Sequence, residues 1–304
     1  MTASSQEFID KIKSIKEKRQ AVILVHNYQS PEIHQVADFV GDSLELSRLA
    51  AETRAEVIVF CGVHFMAETA YILAPQKTVL LPASDAGCAM ADMVTPEALE
   101  RLKANLPGYA VVTYVNSSAA VKALSDICCT SANAIKIVSS LDADDIIFVP
   151  DQNLGKYVES KTGKNFYLWQ GYCPVHAEIT SAHILKQKNK YPGAKVIAHP
   201  ECTMEVINLA DEVLSTGGMV KYCRDLKNGV IIVATDIGML YRLKKENPAI
   251  TFIPASAKAT CKDMQLTSLE NVLGSLQNMS GRVTVNEDIR KQAYLAVKRM
   301  VELA

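Results

Sequence analysis

Asp38, Asp126 and Asp211 are spaced by 88 and 85 residues, and two other sets of landmarks keep those offsets. Ser43, Ser131 and Thr216 each follow an Asp by five residues, and Ile58, Ile146 and Ile231 lie in Val- and Ile-rich runs. A period of this length held at independent positions marks a repeated structural unit. Each repeat carries three apolar runs in one order. The first runs are AVILVHN from 21, YAVVTYVN from 109 and AKVIAHPE from 194, and the second are EVIVFCG from 56, DIIFVPD from 145 and GVIIVATD from 229. The third are TVLLP from 78, NFYLW from 165 and ITFIP from 250. Helix-like stretches separate them, among them QVADFVGDS, ALSDICCTS and NLADEVLST, which hold the Asp landmarks. Short β-runs alternating with helical patterns predict parallel sheets wrapped by helices.

The expected fold is therefore α/β: three three-layer αβα domains related by a pseudo-threefold axis, with a site at their central junction. The units span 20–103, 104–190 and 191–275. A helix over 4–19 precedes them, and a helical tail over 276–304 follows and packs back on an earlier unit. Apolar stripes through Leu269, Val272, Leu273 and Leu276, then Ile289, Ala293, Ala296 and Met300, support those closing helices.

With 304 residues, 49% of them hydrophobic, the chain can bury a core in each unit. Its net charge of -1 carries no block of one sign, which argues against a nucleic-acid or membrane-surface partner. The opening SSQEFIDKIKSIKEK is charged throughout, unlike a signal peptide, and no apolar run nears the roughly 20 residues that span a bilayer. A cytoplasmic location is expected, where the eight cysteines would be free thiols or metal ligands rather than disulfides.

Three of those cysteines follow the third strands: Cys88 in DAGCAM, Cys173 in GYCPVH and Cys261 in ATCKDM. Loops beyond the carboxyl ends of parallel strands are where ligands gather, so the three sulfurs are expected to converge. Three thiolates suit a soft metal or an iron–sulfur cluster. A cubane held by three cysteines leaves one iron without a protein ligand, available as a Lewis acid. Zinc with three cysteines and a water is the alternative, although no C-x-x-C knuckle is present. Cys61, Cys128, Cys129, Cys202 and Cys223 read as small buried hydrophobes.

Polar residues close the first strands: His26 and Tyr28 in HNYQ, Tyr114 and Asn116 in YVNSS, His199 and Glu201 in AHPEC. Together they suffice for acid and base steps around a carbonyl condensation. Ser43, Ser131 and Thr216 are expected to cap helices whose N-termini bind carboxylate or phosphate. Phe65 and Met66 in GVHFMAE face either this site or the core. Neither G-x-G-x-x-G nor a P-loop occurs, so a nucleotide cofactor has no support.

In chain order, HNYQ, GDSLELSR, GVHFMAE, AGCAMAD, YVNSS, CTSAN, PDQNLGKYV, GYCPVH, HPEC and STGGM closely resemble the quinolinate synthase family of de novo NAD biosynthesis. The resemblance covers about residues 20 to 275. It implies one [4Fe-4S] cluster per chain, held by Cys88, Cys173 and Cys261. It also implies condensation of iminoaspartate with dihydroxyacetone phosphate to quinolinate, with loss of phosphate and water, and an upstream enzyme that supplies iminoaspartate. Tyr28, Tyr114, His199 and Glu201 would be catalytic. His26, Ser43, Asn116, Ser131, Ser215 and Thr216, with His199 and Glu201, would bind substrate. His176 would stand behind the cluster.

The chain departs from the family's C-x-N-M-K at the third cysteine, reading Cys261-Lys262-Asp263-Met264-Gln265, and lacks the extra cysteine pair some members carry there. Hydroxymethylbutenyl diphosphate reductase and the diphthamide radical enzymes share the three-domain, one-cysteine-each plan, but their motifs do not match HNYQ or GDSLEL. A non-enzymatic iron–sulfur sensor would need a partner surface or a recognition helix, and no basic helix of that kind is present.

Overall fold

The computed structural model describes residues 3–303. Twelve strands form three sheets of four. The first sheet takes β1 (Ala21–His26), β2 (Phe39–Gly41), β3 (Val57–Cys61) and β4 (Thr78–Leu80). The second takes β5 (Ala110–Tyr114), β6 (Ile127–Cys129), β7 (Asp145–Val149) and β8 (Asn165–Leu168). The third takes β9 (Lys195–Ala198), β10 (Glu212–Val213), β11 (Gly229–Ala234) and β12 (Ile250–Pro254). The orders β2-β1-β3-β4, β6-β5-β7-β8 and β10-β9-β11-β12 are one topology repeated three times. All pairings within these sheets are parallel. Register repeats as well, since Ile58, Ile146 and Ile231 stand opposite Val22, Ala110 and Lys195.

Successive side chains on a strand point to opposite faces, and the core divides accordingly. Ile58 and Phe60 of β3, Ile146 and Phe148 of β7, and Ile231 and Val233 of β11 enter one large core shared by the three units. The intervening residues enter three separate cores. Val57 and Val59 meet Ile9, Ile12, Leu269 and Leu273, so the helices Ala3–Lys18 and Leu269–Asn278 cover the first sheet together. Ile147 and Val149 pack with Val94 and Leu99, and Ile232 and Ala234 with Ile179 and Ile184. The helix Glu287–Glu302 sends Ala293, Ala296, Val297 and Met300 into the shared core. It lies against the helix Ala119–Ala123 of the second unit and the helix His64–Leu73 of the first.

Each unit has one strand more than the three apolar runs predict. The extra strands β2, β6 and β10 are edge strands of two or three residues, too short to show a period of two. They also relocate the Asp landmarks, which were expected inside helices. Asp38, Asp126 and Asp211 sit at the bend just before each edge strand. Their carboxylates accept from the backbone N–H groups of Ile23, Val111 and Val196 at 2.8, 2.7 and 2.7 Å. The repeated Asp thus closes the edge of the first strand where a two- or three-residue neighbour cannot reach. Asp126→Ala strands the Val111 N–H and should cost about 1–3 kcal/mol. An unchanged denaturation midpoint would show that water replaces the carboxylate without loss.

Candidate active site

One cavity opens at the carboxyl ends of the three sheets, and each unit contributes four of the residues singled out in the sequence. The first gives His26, Tyr28, Ser43 and Cys88, the second Tyr114, Asn116, Ser131 and Cys173, the third His199, Glu201, Thr216 and Cys261. Val63, Phe65, Met90 and Met264 supply apolar wall. Phe65 therefore faces the site, whereas Met66, from the same motif, is buried in the core without lining it.

A chain of hydrogen bonds crosses the cavity floor. Tyr28 Oη meets Thr235 Oγ1 at 2.5 Å, and Thr235 Oγ1 meets His176 Nε2 at 2.9 Å. His176 Nδ1 lies 2.8 Å from Glu201 Oε2, and Tyr114 Oη donates to Glu201 Oε1 in a short hydrogen bond. Burial opposes ionisation of Glu201, but His176 and the hydrogen bonds from His176 and Tyr114 outweigh it and hold the carboxyl below its usual range. Burial first, and the Glu201 charge second, raise both Tyr28 and Tyr114, so both phenols keep their protons.

Two histidines share a backbone device. The Tyr28 N–H donates to His26 Nδ1 at 3.2 Å, and the Glu201 N–H donates to His199 Nδ1 at 3.4 Å. Burial lowers both imidazoles to about 3, so both are neutral. With Nδ1 accepting, the single ring proton sits on Nε2. Each repeat-related His-x-Tyr or His-x-Glu turn thus aims a neutral N–H donor; that of His199 reaches Ser131 Oγ at 3.1 Å. His199 also stacks on His176 with ring centroids 4.7 Å apart.

The helix starts differ from expectation by one residue in the first and third units and by two in the second. Asp42 caps the helix Ser43–Glu52, accepting from the Leu44 and Glu45 N–H groups, and Ser215 caps Thr216–Arg224, accepting from the Gly218 N–H. Asn133, not Ser131, precedes the helix Ala134–Ser139. Ser43 and Thr216 therefore occupy first helical positions, where their hydroxyls are not consumed by capping. Ser215 stands outside the cavity lining and gives its proton to Asp42 Oδ2 at 3.2 Å. Asn116 Oδ1 is buried without a hydrogen-bond partner. An unpaired buried carbonyl beside a cavity calls for a ligand donor.

Cys88, Cys173 and Cys261 all line the cavity and are half-buried, while Cys61, Cys128, Cys129, Cys202 and Cys223 are buried away from it. Burial pushes Cys88 up to about 12 and Cys261 up to about 11, and raises Cys173 as well. Among the described residues no lysine or arginine lines the cavity. Three thiols from three loops with no lysine or arginine in the lining suit a multiply charged metal centre, which would favour thiolates. Cys173, His176 and Glu201 also bring donor atoms within 4.8 Å of one another, a geometry open to a single ion. That smaller set leaves Cys88 and Cys261 without a role, and His176 and Glu201 are already engaged with each other and with Thr235 and Tyr114.

Loops around the thiols are tied by side chains outside the expected site residues. Asp236 accepts from the Cys261 N–H at 2.5 Å and from the Gly238 N–H at 2.7 Å. Asp263 accepts from the Gly87 N–H at 3.2 Å, joining the Cys261 loop to the Cys88 loop. Gln265 Nε2 donates to the Tyr28 carbonyl at 2.9 Å. The two positions that depart from C-x-N-M-K are thus both in use. Thr235 and Asp236 directly follow β11, at the end of the run GVIIVATD, and that position was the available signal. Gly238 packs so close that an added Cβ would lie 2.3 Å from the Tyr28 carbonyl oxygen. Gly238→Ala should displace the Tyr28 turn and lower activity at least tenfold, and wild-type kinetics would show that the turn yields freely.

Residues 10–302 match the family model described as quinolinate synthetase A protein. The chain is 57% identical over 293 residues to quinolinate synthase of Dehalococcoides mccartyi, covering 96% of this chain and 97% of that protein. It is 55% identical over 297 residues to quinolinate synthase of Geotalea uraniireducens, covering 98% of both. It is 51% identical over 295 residues to quinolinate synthase 1 of Methanosarcina acetivorans, covering 97% of both.

Proposed function

This chain belongs to the quinolinate synthetase A family of enzymes, and from that premise we propose that it condenses iminoaspartate with dihydroxyacetone phosphate. The product is quinolinate, released with loss of phosphate and water. The observation that carries this reading is the meeting of three repeat-related cysteines with nine polar strand-end and helix-start residues in a single cavity.

Cys88, Cys173 and Cys261 would hold a [4Fe-4S] cluster. When bound, it supplies a Lewis-acidic iron, left open by the three-cysteine ligand set, for a substrate oxygen. The side chains of the chain do the rest. Ser43, Ser131 and Thr216 hold carboxylate or phosphate oxygens, and the neutral His26 and His199 add N–H donors without fixing a charge in the site. Asn116 takes a donor hydrogen of the bound intermediate on its unpaired Oδ1. Glu201, held as a carboxylate, takes protons from carbon or nitrogen. Tyr28 and Tyr114 return them to leaving oxygens. Thr235 and His176 link Tyr28 to Glu201, so a proton accepted at one end of the cavity can be delivered at the other.

The reading includes a cytoplasmic location and an upstream enzyme that makes iminoaspartate. Among the described residues no helix is long and apolar enough to cross a membrane. Protein purified without oxygen should contain about four irons and four sulfides per chain. It should also form quinolinate from iminoaspartate and dihydroxyacetone phosphate. Iron-loaded protein that forms none would overturn the assignment.

A further inference from the structure

Arg242 does not line the cavity, yet it is bonded to a residue that touches the cavity wall. It projects from the helix Met239–Glu246 of the third unit and leaves 14% of its side chain exposed. One guanidinium nitrogen, Nη1, reaches into the first unit, donating to Asn27 Oδ1 at 2.5 Å and to the Val40 carbonyl at 2.9 Å. Its Nε donates to Glu246 Oε1 at 2.7 Å. Asn27 is fully buried, and its Nδ2 donates to Thr216 Oγ1 at 2.8 Å. Thr216 is buried and lines the cavity.

The polarity of this chain is dictated by chemistry. A guanidinium has five donors and no acceptor, so the amide oxygen of Asn27 must face Arg242. The amide nitrogen must then face Thr216, and the threonine oxygen must accept. Its own proton is left over. Among the described residues Thr216 Oγ1 donates no hydrogen bond, and Ser215 beside it has already committed its proton to Asp42.

We propose that Arg242 is a positioning residue that acts through Asn27 to make Thr216 an obligate hydroxyl donor to an anionic oxygen of the substrate. The donor exists only when the first and third units are docked, because Arg242 and Thr216 come from one and Asn27 from the other. The inference rests on the reading above that the cavity takes a carboxylate- or phosphate-bearing substrate.

Asn27→Asp provides the test. The aspartate keeps the shape and strengthens the contact to Arg242, but it can only accept, so it takes the Thr216 proton away from the cavity. A merely structural contact would survive this change. Quinolinate binding to the anaerobically purified, iron-loaded protein is the measurement, with KM and kcat alongside. The expected result is affinity weakened about 10- to 100-fold, the range of a lost charge-assisted hydrogen bond, with iron content and melting temperature unchanged. Arg242→Met should weaken binding in the same direction. In a Thr216→Val background, Asn27→Asp should cost less than about twofold further, since the donor is already gone.

Wild-type affinity in Asn27→Asp overturns the relay. So does an equal loss in the Thr216→Val background, which would reduce the effect to repulsion by the new charge. Failure of the wild-type protein to bind quinolinate would instead strike the reading on which the relay rests.

Discussion

Cys88→Ser, Cys173→Ser and Cys261→Ser should each strip most of the iron from the protein, while Cys61→Ala and Cys223→Ala keep the wild-type content. The two groups of cysteines are separated by structure. The first three line one cavity, and the controls lie in the hydrophobic cores. A serine in place of a thiolate is a hard, weakly acidic ligand with little affinity for iron. Loss of one anchor from three leaves the cluster open to solvent, so activity should fall below one-hundredth of the wild type. Iron and acid-labile sulfide per chain decide the matter. If only Cys173→Ser loses metal, the occupant is a single ion at Cys173, His176 and Glu201, and the cluster assignment fails.

Glu201→Gln and Tyr28→Phe are expected to lower kcat by about 100- to 10,000-fold with iron content intact, the range for removal of a general acid or base. Glutamine preserves the volume and can still accept from Tyr114, but it cannot take a proton. Phenylalanine removes the hydroxyl that meets Thr235 while preserving the ring packed edge-on to His26. Thr235→Val, which interrupts the link between Tyr28 and His176, should cost less than either because both end groups remain. Quinolinate formation normalised to iron is the measurement. Full activity in Glu201→Gln or Tyr28→Phe would remove that residue from the chemistry.

Much of this architecture could be seen in the amino-acid order because the protein repeats itself. A strand of four to six residues such as β1 or β3 writes a visible run, the three-residue β4 shows because Leu81 and Pro82 prolong its apolar stretch, and these runs recur in the other units. The edge strands β2, β6 and β10 write almost nothing, since two or three residues carry no period. The Asp landmarks were real, but their task is performed by a side chain on a neighbouring strand's N–H, which spacing alone does not reveal. Capping residues were misplaced by one position because GDS and STG each offer two polar candidates in succession. Thr235, Asp236, Asn27 and Arg242 escaped for a different reason. Positions common to three repeats show what the units share, whereas Asn27, Arg242 and Thr235 serve contacts between unlike units and Asp236 ties a loop of the third unit alone.

The distribution of the three cavity cysteines, one per unit, also bears on how the protein is made. Translation delivers Cys88, Cys173 and Cys261 in that order, each separated from the next by a whole folding unit. A nascent chain that has folded only its first unit offers one sulfur at an exposed sheet end, and with two units it offers two. The complete binding site cannot exist on the ribosome until the third unit has emerged and docked. On the proposed cluster reading, complete loading must therefore await the docking of the third unit.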